Sequence, residues 1–249
     1  MYRFRLRYVF IVVIVIWVLS GVLFFAWATN AQGPSAEALA ALQSDNSLQV
    51  TTNQWFVFQP QNVTVTTGFI FYPGGRIEPR SYAPYARAIA AQGYLVVIVP
   101  EPLNLAIFNT NAAREVINAY PQITHWAVGG HSLGGVAAAD FVRDNPDVQG
   151  LVLWASYPQD RTDLSSRDDL VVASIYGTND QLATVSSIEA SQVHLPALTT
   201  FVAITGGTHG QFGWYGDQPG DGQPTISHEE QQRETVAATV AVLQQISQR

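Results

Sequence analysis

The run Gly130-His131-Ser132-Leu133-Gly134 sets a serine between two glycines, each two positions away. Small residues there let the backbone pass closely around a serine held on a sharp strand-to-helix turn, with its hydroxyl exposed. The N-terminus of the following helix favours negative charge that develops nearby. This is the arrangement for nucleophilic attack on an acyl carbon. With 19 glycines in 249 residues the pattern also arises by chance, so its surroundings decide. An apolar strand over 126–129 precedes it and an Ala-rich helical pattern over 133–143 follows, which is the context the chemistry requires.

A serine hydroxyl is a weak nucleophile at neutral pH and needs a base, itself oriented by a carboxylate. Where the serine sits on such a strand-to-helix turn, the acid and then the base follow it in the chain. Three histidines lie downstream. His209 sits in Gly206-Gly207-Thr208-His209-Gly210, just past an apolar strand, where flanking glycines suit a loop that delivers a side chain to a cleft. His194 and His228 read as surface residues of helical stretches. The acid expected is Asp180, in Gly177-Thr178-Asn179-Asp180 after the strand 170–176. Asp160 is the alternative, after the preceding strand, while Glu101 precedes Ser132 and breaks the order. An oxyanion needs two backbone N–H donors. Leu133 is expected to give one, and the loop Pro73-Gly74-Gly75-Arg76 the other, through Gly75 first and Gly74 next.

These residues must be positioned by a sheet. Apolar runs at 55–59, 63–72, 94–99, 126–129, 150–155, 170–176 and 200–205 read as strands. The first two alternate weakly and are joined by Pro60-Gln61-Asn62, which predicts an antiparallel pair. The later runs are continuous, as parallel strands buried on both faces are. Helical patterns at 82–91, 112–119, 133–143 and 227–248 fall between and after them, and Ser227 with Glu230 forms a capping-box signal. Strand and helix alternate, which predicts a mostly parallel sheet covered on both faces. The loop 156–169 is too short for a helical lid. Two loops, 102–108 and 211–216, carry the apolar side chains that line ligand pockets.

Residues 8–28 form an apolar run of bilayer length, preceded by Arg3, Arg5 and Arg7 and followed by no basic residue before Arg76. The positive-inside rule puts residues 1–7 in the cytoplasm and the rest outside. The run is longer than the apolar core of a signal peptide, which favours a retained signal anchor at the cell membrane over cleavage and secretion. Residues 29–48, with a short helix at 35–42, read as a tether to a domain over 49–249. Beyond the three N-terminal arginines, nine basic residues face 19 acidic ones. So acidic a domain lacks the basic face that nucleic acid requires. The absence of cysteine excludes disulfides, thiolate metal sites and a cysteine nucleophile.

Phe71-Tyr72-Pro73-Gly74-Gly75, Gly93-Tyr94-Leu95-Val96-Val97, Gly130-His131-Ser132-Leu133-Gly134-Gly135, Gly177-Thr178-Asn179-Asp180 and His209 together resemble an α/β-hydrolase. The resemblance is closest to the small, lidless bacterial members near the dienelactone hydrolases and cutinases. It implies a mostly parallel sheet of about eight strands, a Ser132–Asp180–His209 triad, and ester hydrolysis through an acyl-enzyme. The substrate it implies is a small-molecule or lipid-like ester, with no metal or organic cofactor. Dienelactone hydrolases proper use a cysteine nucleophile, and bacterial cutinases often carry a C-terminal disulfide. This chain has neither, which moves the expectation from lactones to carboxylic esters. The same triad serves acyl transfer, and a non-catalytic membrane-anchored binding domain on a retained fold is a third reading.

Overall fold

The computed structural model describes residues 2–249, with side chains from residue 8 onward, so Arg3, Arg5 and Arg7 lie outside the described side chains. The chain opens with α1 (Tyr2–Thr29), whose residues 8–27 are exposed, and a short α2 (Ala36–Ala40). The segment Tyr8–Thr29 is long and apolar enough to cross a membrane. An eight-stranded sheet follows in the order β1-β2-β4-β3-β5-β6-β7-β8. Its strands are β1 (Leu48–Thr52), β2 (Phe56–Pro60), β3 (Thr67–Tyr72), β4 (Leu95–Ile98), β5 (His125–His131), β6 (Gly150–Trp154), β7 (Val171–Gly177) and β8 (Thr200–Ile204). The pairs from β4 through β8 are parallel.

The β2–β3 pairing expected from the sequence does not form. β2 pairs antiparallel with β1 and β4, and β3 lies between β4 and β5. The reason is burial. All six residues of β3 are buried, so it needs a partner on each edge and a helix layer on each face. Residues 63–66, read as the start of this strand, lie outside it.

Helices cover both faces. On one side α3 (Ala83–Ala90) and α7 (His228–Ser247) pack Tyr85, Ile89, Leu243 and Ile246 against Phe69, Phe71 and Trp154. On the other, α4 (Ala112–Ala119) and α5 (Leu133–Asp144) pack Val116, Ala138 and Phe141 against Ile70, Val97 and Val128. Consecutive residues of β3 thus alternate between the two layers, as a pleated strand requires. The start of α7 is capped as the sequence predicts, with Ser227 accepting from the Glu230 N–H at 3.1 Å. The 156–169 loop carries turns and no helix, and α6 (Val185–Ala190) is a single short helix after β7.

The segment 29–48, read as a tether, packs on the domain from Gln32 onward. Gln32 bridges to Ile77, the Ser35 N–H reaches the Trp214 carbonyl at 2.8 Å, and Ala38 is buried.

Candidate active site

The parallel strands point their C-terminal ends at one edge of the sheet, and the loops there gather the candidate residues. At the end of β5 the chain turns into α5 through Ser132, at φ 51° and ψ −122°. A left-handed non-glycine residue costs roughly 1–2 kcal/mol, so its surroundings must impose it. The two glycines make room. A Cβ on Gly134 would stand 2.1 Å from the Tyr72 carbonyl oxygen, and one on Gly130 would stand 2.4 Å from the Gly134 carbonyl carbon. The spacing of the motif is therefore a packing requirement of this turn. Ser156 Oγ donates to the Ser132 carbonyl at 2.7 Å and braces it from the loop after β6.

His209 follows β8 and Asp180 follows β7. His209 Nδ1 lies 2.9 Å from Asp180 Oδ2, and both residues are buried. The other carboxylate oxygen of Asp180 accepts the N–H groups of Leu182 at 2.7 Å and Ala183 at 2.8 Å. These bonds fix the carboxylate before the imidazole meets it. Asp160 is fully exposed and lies 3.6 Å from His194 Nε2, so it is Asp180 that meets His209. His228, read as a surface residue, is half-buried and stacks on Trp214 with ring centroids 4.0 Å apart. Burial holds its pKa down at about 4.

Ser132 and His209 line one cavity of about 250 Å³, together with Leu182, Tyr157 and Gln218. It adjoins a broader cleft of about 700 Å³ that shares Leu133, Val136 and Tyr157 and reaches out to Ile107. The loop 102–108 thus reaches the cleft. The loop 211–216, which the sequence also assigned to the pocket, does not line it. Phe212 is fully buried and stacks on His131, and Trp214 packs on His228.

Near Ser132, the N–H groups of Leu133 and Gly75 have no acceptor among the described residues. They are neighbours, since a Cβ on Gly75 would lie 3.2 Å from Leu133 Cδ2. The Gly74 N–H is already committed to the Tyr82 hydroxyl at 2.9 Å. That hydroxyl also lies 2.9 Å from His131 Nδ1. With its oxygen accepting from Gly74, its proton is directed to His131. His131 is buried, its ring centroid 4.5 Å from that of His209. Burial first, and then the nearby His209, holds its pKa well below the ordinary value. The imidazole therefore stays neutral, and no second cation opposes charge on His209.

Sequence reasoning missed three residues here: Tyr82, Ser156 and Asp221, whose Oδ2 accepts the Gly210 N–H at 2.7 Å and holds the His209 loop. A histidine inside the serine motif was the one visible hint that a buried polar partner existed. Nothing local marked Tyr82, 49 residues away.

No curated protein matches the chain. The sequence profile of the alpha/beta hydrolase family matches residues 68–233, two thirds of the chain, spanning β3 to the first turns of α7 and all of the residues just described. With its eight-stranded sheet and its serine turn between β5 and α5, the chain belongs to the alpha/beta hydrolase family.

Proposed function

We propose that the protein is a serine hydrolase that cleaves carboxylic esters through an acyl-enzyme on Ser132. The observation that carries this is the 2.9 Å contact between Asp180 and His209, with His209 and Ser132 lining one cavity. His209 takes the Ser132 hydroxyl proton as the oxygen attacks the ester carbonyl. The Leu133 and Gly75 N–H groups hold the oxyanion, and Asp180 keeps His209 in the right tautomer and stabilises its charged form. The ester C–O bond breaks and His209 protonates the leaving alcohol. Water, deprotonated by His209, then attacks the acyl carbon, freeing the acid and restoring Ser132. No step requires a metal or organic cofactor.

Residues 8–28 serve as a retained anchor in this reading, with the acidic catalytic domain over 49–249 outside the cytoplasm. The length and apolar character of α1 support this, as does the charge asymmetry around it.

The test is Ser132→Ala on a panel of esters of graded acyl length, with fluorophosphonate labelling of the parent. Turnover is expected to fall by about 10⁴-fold or more, because removing a triad nucleophile leaves only binding and the oxyanion site. Label is expected on Ser132 alone. Full activity in the variant, or an unlabelled Ser132, would overturn the assignment.

A further inference from the structure

The last turns of α1 pack against the rim of the cleft. Phe24 meets Phe108 edge to face, with ring centroids 6.3 Å apart. The Arg76 guanidinium sits over the Trp27 ring at 4.6 Å and donates to the Asn30 carbonyl at 2.8 Å. Ala28 is fully buried. Arg76 directly follows Gly75, and its N–H is held by the Asn104 carbonyl at 2.7 Å. The end of the apolar helix, the loop of Gly75 and the 102–108 loop therefore form one packed unit.

This fixes a depth. Phe24 lies five residues before the end of the apolar segment, or about 7 Å along the helix axis. If that segment crosses a bilayer, Phe108 lies at the boundary between headgroups and acyl chains. The loop suits that place. Its sequence Pro102-Leu103-Asn104-Leu105-Ala106-Ile107-Phe108 holds no charge, and Ile107 and Phe108 are each half exposed. Trp27 and Arg76 are residues of the interfacial kind, an aromatic ring and a cation with an apolar stem. Ile107 lines the cleft that continues past Leu133 to Ser132.

We propose that α1 seats the mouth of the cleft against the leaflet on the domain's side, and that the substrate is an ester-bearing lipid drawn from that leaflet. The acyl chain enters past Phe108 and Ile107 and follows the apolar wall of Leu133 and Val136 to the serine. The choice of an ester rests on the hydrolase reading above, whereas the seating rests on the α1 contacts alone.

Two measurements on the full chain in phosphatidylcholine vesicles doped with diacylglycerol test this. The protein has no cysteine, so Phe108→Cys and Asp168→Cys each give a single labelling site. Asp168 is exposed and precedes β7, at the opposite end of the sheet. A fluorophore at 108 is expected to be quenched by nitroxide-bearing lipids and one at 168 to be unaffected. Equal, water-like behaviour at both sites would overturn the seating, as would a mature chain lacking α1.

In the second measurement, Phe108→Asp is expected to lower hydrolysis of the vesicle lipid about tenfold, the effect of losing one aromatic pair. The loss on a dissolved short-chain aryl ester is expected to be the smaller of the two, because Phe108 does not line the cavity that holds Ser132 and His209; an equal loss on both esters would overturn a role for Phe108 in lipid entry. Cleavage of the dissolved ester without cleavage of any vesicle lipid would overturn the lipid substrate. If neither ester is cleaved, the hydrolase reading fails, and quenching at 108 still decides the seating by itself.

Discussion

On the wall of the cleft built from β7 and β8, hydrogen bonds hold both Asp180 and the loop that carries His209. Asp180 spends one oxygen on His209 and the other on two backbone N–H groups, and Asp221 ties down the loop that carries His209. The opposite wall, beyond β3 and β4, is held differently. Arg76, Leu103 and Asn104 all adopt left-handed backbone conformations, at φ 59°, 56° and 53°. Glu101 is buried with neither carboxylate oxygen hydrogen-bonded among the described residues. Beyond it Phe108 reaches toward Phe24 of α1. Proton transfer needs atoms fixed to within a fraction of an ångström, and a hydrogen-bonded wall supplies that. An entry for an apolar chain needs apolar side chains at its mouth, and Ile107 and Phe108 supply them beside the strained backbone of the second wall.

Breaking the bonded wall is expected to have the largest effect. In Asp180→Asn the Oδ1 acceptor for Leu182 and Ala183 remains, so the fold should persist. An amide N–H facing His209 Nδ1 selects the wrong tautomer, and kcat is expected to fall by about 10⁴-fold with KM little changed. A loss of tenfold or less would mean that this wall does not carry the proton chemistry. Next comes the floor that joins the two walls. Tyr82→Phe strips the acceptor from the Gly74 N–H and the partner from His131 Nδ1, leaving both buried. The expected cost is about 1–3 kcal/mol of stability in denaturant unfolding. Gly75 is then less firmly held, and kcat is expected to drop about tenfold. Unchanged stability would mean that water replaces the phenol and that the floor is not a rigid bridge.

The bonded wall was also the more legible one. Ser132 could be read because its turn demands glycines at fixed spacing. Asp180 and His209 could be read because each follows an apolar strand within a few residues. Their neighbours were hidden. Tyr82 and Asp221 meet their partners across long stretches of chain, and no local pattern encodes such contacts. β1 was not read as a strand because its five residues alternate Leu48 and Val50 with Gln49 and Thr51, too few and too polar for a period-two signal to stand out. The wrong β2–β3 pairing came from letting sequence adjacency outweigh the continuous apolar character of β3, which already marked a central strand. The apolar segment was plain from composition, but its contacts with residues 76 and 108 were not, since they join segments far apart in the chain.

The smallest effect expected lies on the strained wall, at Glu101. Burial, and secondarily repulsion from Glu115, raises its pKa from 4.5 to about 8. A carboxyl whose folded-state pKa is raised binds its proton more tightly in the folded chain than in the unfolded one. Its contribution to stability is therefore most favourable below pH 4.5. It declines as pH rises toward about 8, and is constant above that. Glu101→Gln cannot ionise and should escape that decline. The variant is expected to match the parent near pH 4 and to melt about 5 °C higher at pH 9, read by thermal unfolding across the range. Because Glu101 touches none of the reacting groups, kcat on a dissolved ester should stay within about twofold. A variant equally stable at both pH values would mean that Glu101 is solvated or paired. A large loss of kcat would mean that the apolar wall takes part in the chemistry, and the division of labour between the two walls would have to be abandoned.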